Sequence, residues 1–564
     1  MNTAEIVVEL LGRAEVKYMF GVPGGAIEDL NIALYNTTHD ILPIVTKHEE
    51  GAAFMADGYA RVSGKLGVCY ATAGPGASNL FTGLAFSYVD QIPVLAITGQ
   101  VAISLFGKGA FQESSSEVID IVQVFSACTK YSSMLISEVC AQYMLLKAIR
   151  LALGNPGGPV HINMPADIMK RPVQLQESSI PPMIEKTRLL DVEQVDKAAQ
   201  LLINAHRPVI IAGWGVYLSQ AMLELRQLAE LLRIPVATSP KAKGVFPESH
   251  ELSLGVLGFA GSPVAKEYLI NNEVDVLLAV GTSFSEMMTN GWDQHLQPSN
   301  CLIHIDVDAE KIGRTYEVSH PMLGDAKINL KKIAQAVKGH KYTAHRNKQL
   351  QILRQRQIKN EAFISPDELY HPARLFLDIQ KFFPKSSIFF VDAGNSMAWA
   401  IRYMTIDQPG SFFVSLGYGS MGYAVAAPVG ARLAAPDRPV VAMVGDGSFL
   451  MNGFEVATAV NYNIPVTWVV LNNAMLGMVY HGRRLFKKSI PDGMEPCFKR
   501  VDYVKIAEGL GARGIHLDGR HPLSASLVRD ILTEQKPTVL DVWIDDQAIP
   551  PIHSRIATVD KHFA

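Results

Sequence analysis

Three doubly wound α/β domains, each built on a parallel sheet, are the fold this sequence predicts. Three observations lead there. At 564 residues the chain is several times the usual domain size. Short apolar runs alternate with amphipathic segments along nearly all of it, the rhythm of strand, helix, strand. Many of those runs end in glycine-rich turns, and ligands of such sheets sit beyond the carboxyl ends of the strands.

The first block, residues 1–172, opens on the amphipathic MNTAEIVVELLGRAEV, whose early acidic residue is unlike the basic-then-apolar start of a signal peptide. YMFGVPGG reads as a strand entering a glycine turn, and ILPIVTKHEE as a strand running into a helix start. LGVCYATAGPGASN and IPVLAITGQ are further strands, with helical spacing in GAAFMADGYARVSG and LFTGLAFSYVD. The proline-bearing stretch 170–188 is a linker. A second block, 188–340, carries RPVIIAGWG, IPVATSPKAKG, VDVLLAVGTSF and CLIHIDVDAEKIG. The charged stretch 338–361 reads as a solvated helix or linker. A third block, 364–550, holds SSIFFVDAGNS, GSFFVSLGYGSMG, PVVAMVGDGS and PVTWVVLNN, and shares with the first a plan of strands ending in glycine turns.

Composition narrows the function. Apolar residues make up 48% and charged residues 19%, ample for large cores, and a formal net charge of -3 offers no basic surface for nucleic acid. No apolar run approaches the roughly 18 residues of a membrane span. Five scattered cysteines without a CxxC pair suit a reducing cytoplasm.

The chemistry concentrates in VVAMVGDGSFLMNGFE. Asp446 stands where the strand ends, and Asn473 closes the next apolar run 27 residues on. A carboxylate and an amide oxygen at one sheet edge are hard ligands suited to Mg²⁺, which keeps phosphate oxygens in its shell. Gly445 and Gly447 let the backbone approach a diphosphate, and the N–H groups near Ser448 favour an anion. A lone GDG is better explained as a turn. GDG followed by NN at this spacing resembles the diphosphate anchor of thiamine diphosphate enzymes. Such an enzyme also needs a carboxylic acid against the cofactor's pyrimidine ring. Glu49 and Glu50 start a helix after a strand end, a place that dipole electrostatics alone also explains.

Taken in order, FGVPGGAI, KHEEGAAFMADGYAR, GPGASNL, AFQE, GPVHINMPADI, GSMGYAVAAPVGA, GDGSFLMN and NNAMLGMVY resemble the acetohydroxyacid (acetolactate) synthase family of thiamine diphosphate enzymes. The resemblance implies a pyrimidine-binding, a middle and a diphosphate-binding domain, with active sites between subunits of a homodimer or homotetramer. It makes Glu49 the activating acid, with Glu50 a bystander in the family's Gln place. Gln112 becomes an active-site amide and Phe111 an apolar wall. Gly419 offers its carbonyl to the 4′-amino group, and Met421 bends the cofactor. Asp446, Asn473 and the Met475 carbonyl hold the metal. Gly394, Asn395 and Ser396 fall where the family has Gly-Gln-His near the diphosphate, and Gly477 and Met478 add backbone contacts.

Departures cluster where the second substrate is chosen. Gly482 stands where synthases carry a tryptophan. Ser283 and Met287 replace two arginines, and Val256 and Leu257 alter a middle-domain motif. A bidentate arginine is hard to replace, so a second 2-ketoacid is less well recognised. The same losses predict a flavin site without charged clamps and disfavour FAD, although AGWGV (212–216) keeps a glycine turn that suits a nucleotide or a plain βα connection equally. The expected activity is a carboligase that decarboxylates a 2-ketoacid, with pyruvate the expected donor, and passes the acyl unit to another carbonyl. A decarboxylase or C–C lyase on the same scaffold, and a non-catalytic homologue, remain open.

Overall fold

The computed structural model describes residues 1–176, 189–190, 192–271, 273–340, 350–353, 363–485, 494–556 and 558. Most of the linker and of the charged stretch 338–361 lie outside them. Three six-stranded sheets, parallel throughout, carry the fold.

In the first sheet β1 (Tyr18–Val22), β2 (Leu42–Val45), β3 (Gly67–Ala71), β4 (Val94–Gln100), β5 (Ser132–Met134) and β6 (Val160–Pro165) run in the order β2-β1-β3-β4-β6-β5. The second comprises β7 (Val209–Ala212), β8 (Val236–Thr238), β9 (Ser253–Val256), β10 (Val276–Val280), β11 (Cys301–Asp306) and β12 (His320–Leu323), ordered β12-β11-β10-β7-β8-β9. Counted from its own first strand this is 3-2-1-4-5-6 read backwards, the dinucleotide-binding order. The third has β13 (Ile388–Val391), β14 (Phe412–Val414), β15 (Val440–Gly445), β16 (Thr467–Asn472), β17 (Arg513–Leu517) and β18 (Thr538–Trp543) in the order β14-β13-β15-β16-β18-β17. First and third sheets therefore have one and the same topology.

The apolar runs form strands because both faces of each sheet are covered: β3, β4, β6, β10 and β13 are buried at every position. Two helices join the first and third domains. Glu49–Ser63 begins at His48, whose ring accepts from Glu50 N, and stops at Gly64 with φ +70°. It packs on Tyr423–Ala434 so closely that a Cβ at Gly58 would lie 2.1 Å from Ala427 O, and one at Gly430 1.9 Å from Met55 O. Only glycine permits that approach.

A buried charge network ties in the middle domain. Arg61 is held by Asp57 at 2.8 Å and by Asp90 at 3.0 Å, with Lys241 on the other oxygen of Asp90 at 2.8 Å. Tyr423 donates to Asp57, Tyr217 to Arg61 O, and the Trp214 indole to Asp90 O. Arg61 also lies over the Phe86, Trp214 and Tyr423 rings. Each buried charge thus has a partner, as burial demands. All five cysteines are free. Among the described residues no helix is long and apolar enough to cross a membrane.

Candidate active site

β13 and β15 lie side by side at the point where the third sheet's strand order reverses, and the loops leaving them carry Gly394 and Asp446. Asp446, 1% exposed, follows β15. Its Oδ2 accepts from Asn473 N at 3.0 Å and Ala474 N at 2.6 Å, and its Oδ1 from Gly447 N at 2.8 Å. Burial pushes this carboxyl up to about 6, although those N–H groups and Arg500 pull the other way. The asparagine pair divides its work. Asn472 donates inward to Asp541 and Val501 O, whereas the Asn473 amide lies beside Gly477. Ala474, at φ +58°, turns the chain so that the buried Met475 pairs with Cys497. A Cβ on Gly447 would meet only the end of the flexible Leu476 side chain, at 2.7 Å.

Opposite, Gly394 at φ +122° opens the helix Asn395–Tyr403, and a Cβ there would touch nothing within 4 Å. Gly419, at φ +81°, is equally open, and a Cβ on Gly445 would meet only Ser448 Oγ at 3.9 Å. A cluster of glycines facing empty space is what a close-lying ligand requires. Asp392, fully buried, accepts from Gly422 N at 2.7 Å and so fixes the half-buried Met421 just before it. Burial raises this carboxyl to about 7. The Ser396 hydroxyl donates back to Asp392 O, so its proton is engaged. Ser448 Oγ, buried, makes no well-aligned hydrogen bond, although it lies near enough to Asp392 to temper its pKa. Asn395 meets His481 at 3.0 Å, and Met478 packs against the third domain's core.

The first sheet gathers a second group. Glu49, 8% exposed, accepts from Asn79 Nδ2 at 3.0 Å through Oε2. A Cβ on Gly76 would stand 3.1 Å from Glu49 Oε1, and one on Gly74 3.1 Å from Gln112 Cβ, so the Gly-Pro-Gly turn separates the two side chains. Gln112 itself has φ +61°, and its neighbour Phe111 is 87% exposed. Glu50 instead accepts from Asn452 of the third domain. Within one chain, then, the predicted residues form two groups. Glu455, which sequence reasoning did not single out, links them: its buried carboxylate accepts from Lys47 N and His48 N just ahead of Glu49.

The middle sheet's reversal point, between β7 and β10, opens on a cavity of about 430 Å³. Its glycine turn is a tight packing joint, because a Cβ on Gly213 would lie 2.2 Å from Gly281 O. Lys241, Lys311 and Arg314 line the cavity, and Arg314 donates to the carbonyl of Ser283. These cations come from segments that the family motif does not cover. Met287 packs against the third domain's core, and a Cβ on Gly482 would meet nothing within 4 Å.

The comparisons with known proteins agree with this geometry. Family models described as the thiamine pyrophosphate enzyme N-terminal TPP binding domain, central domain and C-terminal TPP binding domain match residues 1–121, 195–333 and 392–542. The chain is 35% identical to a probable acetolactate synthase large subunit of Methanocaldococcus jannaschii, over 98% of this chain and 93% of that one. It is 32% identical to the acetolactate synthase isozyme 3 large subunit of Escherichia coli, over 100% and 98%. A thiamine diphosphate-dependent 4-hydroxybenzoylformate decarboxylase of Rhodococcus jostii superposes with a TM-score of 0.83 over 97% of this chain and 100% of that one, and its 23% identity carries the fold alone. Sheets, loops and full-length relatives converge, and the chain belongs to the acetolactate synthase family of thiamine diphosphate-dependent enzymes.

Proposed function

We propose a Mg²⁺-dependent carboligase that decarboxylates pyruvate and delivers the acyl unit to a neutral or bulkier carbonyl acceptor. The observation that carries this reading is the third-domain cradle. Asp446 is clamped by three backbone N–H groups beside glycines that face open space. The donor set fits a metal-bound diphosphate, since the buried Ser448 hydroxyl has no well-aligned partner and can donate to a phosphate oxygen. Asp446, Asn473 and the Met475 carbonyl would hold the cation, with Gly394, Asn395, Gly445, Gly447, Ser448, Gly477 and Met478 around the diphosphate. Among the described residues no cluster of three His, Cys, Asp or Glu side chains gathers to hold a metal, so the cation would draw on the single carboxylate of Asp446 together with amide, carbonyl and phosphate oxygens.

When bound, the cofactor supplies the electron sink that lets CO₂ leave a 2-ketoacid. The chain's own task is positioning and proton movement. Asn79 occupies Glu49 Oε2, which leaves Oε1 beside Gly76 to hold the proton exchanged with the pyrimidine ring. Gly419 and Met421 would set the cofactor's conformation, and Gln112 and Phe111 would line the reacting centre. The Glu49 group of one chain completes the Asp446 group of another. Phe111, Leu450, Met451 and Phe454 are exposed apolar side chains on these two surfaces, as a homodimer interface requires.

The acceptor reading rests on Met287 and Gly482, which present an apolar side chain and open space in place of an arginine and an indole. The same substitutions bear on a flavin, because Ser283 and Met287 bring no charged clamp to this cavity. We therefore expect no bound flavin. One preparation tests all of this. Purified protein is scanned for flavin absorbance, sized by sedimentation, and given Mg²⁺, thiamine diphosphate and pyruvate with a competing neutral aldehyde. A mixed acyloin as main product supports the reading. Acetolactate as main product overturns the acceptor assignment, free aldehyde from pyruvate alone makes it a decarboxylase, and stoichiometric FAD overturns the flavin statement.

A further inference from the structure

Glu455 is a buried carboxylate that neither group of site residues contains. It is 1% exposed and opens the helix Glu455–Asn461, which follows the helix starting at Asp446. Its Oε1 accepts from Lys47 N at 3.1 Å and His48 N at 2.9 Å. Its Oε2 accepts from Lys47 N at 3.2 Å and from the Thr458 hydroxyl at 2.6 Å. Thr458 lies one turn along the same helix, so it fixes the rotamer that reaches across to the first domain. Gly51 makes room for the carboxylate, since a Cβ there would stand 2.3 Å from Glu455 Oε1.

The turn held in this way is the one that delivers Glu49. Thr46 Oγ1 donates to His48 O at 3.0 Å, and the His48 ring accepts from Glu50 N at 3.1 Å. These bonds set the shape of the turn, whereas its anchorage comes from the third domain. Tyr462 Oη accepts from Val45 N at 2.8 Å, Asn452 donates to Glu50 Oε2 at 3.2 Å, and Glu455 takes the two N–H groups between them. Of these anchors only Glu455 offers a carboxylate to the main chain, and charge-assisted bonds are roughly twice as strong as neutral ones. Glu49 follows directly, and its Oε2 has to meet Asn79 while Oε1 stays beside Gly76. We propose that Glu455 positions Glu49, by holding Lys47 N and His48 N and so fixing where the acid's side chain enters the site. It is a positioning residue, since it reaches the acid only through the main chain. The proposal rests on the assignment of Glu49 above.

Two measurements separate positioning from folding. In the cofactor-free protein, amide hydrogen exchange at Lys47 and His48 reads the contact itself. Glu455→Ala should speed both amides about 10- to 100-fold, the range for losing a hydrogen bond to a charged group. With Mg²⁺ and thiamine diphosphate bound, exchange of the cofactor's C2 proton reads the acid. Glu455→Ala should slow it by up to about 10²-fold, the cost of a misplacement of about 1 Å, while cofactor affinity stays near wild type. Glu455→Gln keeps an oxygen toward both N–H groups and an amide nitrogen toward Thr458, so it should recover most of both effects. Gly51→Ala, whose methyl would displace the carboxylate, should resemble Glu455→Ala. Melting of the cofactor-free proteins guards against misfolding, and Gly51→Ala carries the test if Glu455→Ala does not fold. Wild-type C2 exchange in these two variants overturns the inference. So does a loss of cofactor affinity as large as the loss of exchange, or a Glu455→Gln variant that recovers nothing. If Glu49→Gln itself leaves C2 exchange unchanged, the assignment of the acid fails instead.

Discussion

The first and third sheets share one strand order and use it oppositely. In the third the loops leaving β13 and β15 at the reversal point carry Gly394 and Asp446, whereas in the first Glu49 follows β2 and Gln112 follows β4, the strands that flank the reversal pair β1 and β3. In the first domain most of the glycines near the reversal point are filled in by the protein, Gly25 being open: a Cβ would lie 2.3 Å from Tyr70 O at Gly21, 2.7 Å from Thr72 at Gly24 and 2.8 Å from Thr72 at Gly76. In the third, Gly394 and Gly419 have nothing within 4 Å, and Gly445 has one oxygen at 3.9 Å. The same scaffold thus packs a carboxylic acid tightly on one side and leaves a donor-lined hollow on the other. Strand order places a site. Whether the space beside each glycine is filled or open assigns its role.

The widest separation between the two regions should come from their carboxylates. Glu49→Gln is expected to leave cofactor affinity near wild type and to slow exchange of the cofactor's C2 proton by about 10²- to 10⁴-fold, the usual worth of a general acid–base group. Asp446→Ala should do the reverse, abolishing metal-dependent binding. Deuterium exchange at C2, together with cofactor titrations with and without Mg²⁺, checks both. If Glu50→Gln stops the exchange instead, the acid has been assigned one residue out of register, although the contact of Glu50 with Asn452 argues otherwise.

A finer division should appear at the glycines. Gly76→Ala inserts a methyl 2.8 Å from Thr72 and 3.1 Å from Glu49 Oε1. Overpacking of that kind costs roughly 1–3 kcal/mol, so the cofactor-free protein should melt lower. Gly445→Ala, at φ -70°, strains nothing and enters open space. Its cofactor-free stability should stay within about 0.5 kcal/mol of wild type while cofactor affinity falls. Calorimetric melts paired with titrations read the two effects separately, and matching profiles for both variants would erase the contrast.

How much of this was legible beforehand follows from distance along the chain. The runs ending at Gly445 and Asn472 declared themselves as strands, and Asp446 and Asn473 fell at their ends because apolar burial stops where the sheet stops. Glu49 was visible as an acid opening a helix. The short strands β5 and β17 escaped, since neither has the full burial that marks a run. Glu455 and His481 also escaped: their partners, Lys47 and Asn395, lie 408 and 86 residues away, and no local pattern shows such meetings. Arg314 escaped for a related reason, because it reaches the Ser283 carbonyl from a loop outside any motif. Asp392 looked like any polar residue after a strand until its contact with Gly422 gave it a purpose.

Asp392 also provides the smallest test, one of pH. Its folded pKa, about 7, lies above the ordinary 3.8 because burial disfavours the charged form. Between roughly pH 4 and 7 the folded chain therefore keeps a proton that the unfolded chain has released. The stabilisation from this group is complete below about pH 4, falls as pH rises and is gone above about 7. Asp392→Asn has no such proton, so from pH 5 to pH 8 the wild type should lose more stability than the variant. Asp446 and Asp306, both raised to about 6, titrate in both proteins and cancel in the difference. The expected gap is a few degrees in the melting temperature of cofactor-free protein, at roughly 2–4 °C per kcal/mol for a domain of this size. A gap of zero would mean that the carboxylate is already ionised when buried, held so by the Gly422 and Ala393 N–H groups. In that case the third domain's hollow would carry a fixed negative charge under the Met421 loop, and the contrast with the first domain's packed acid would narrow.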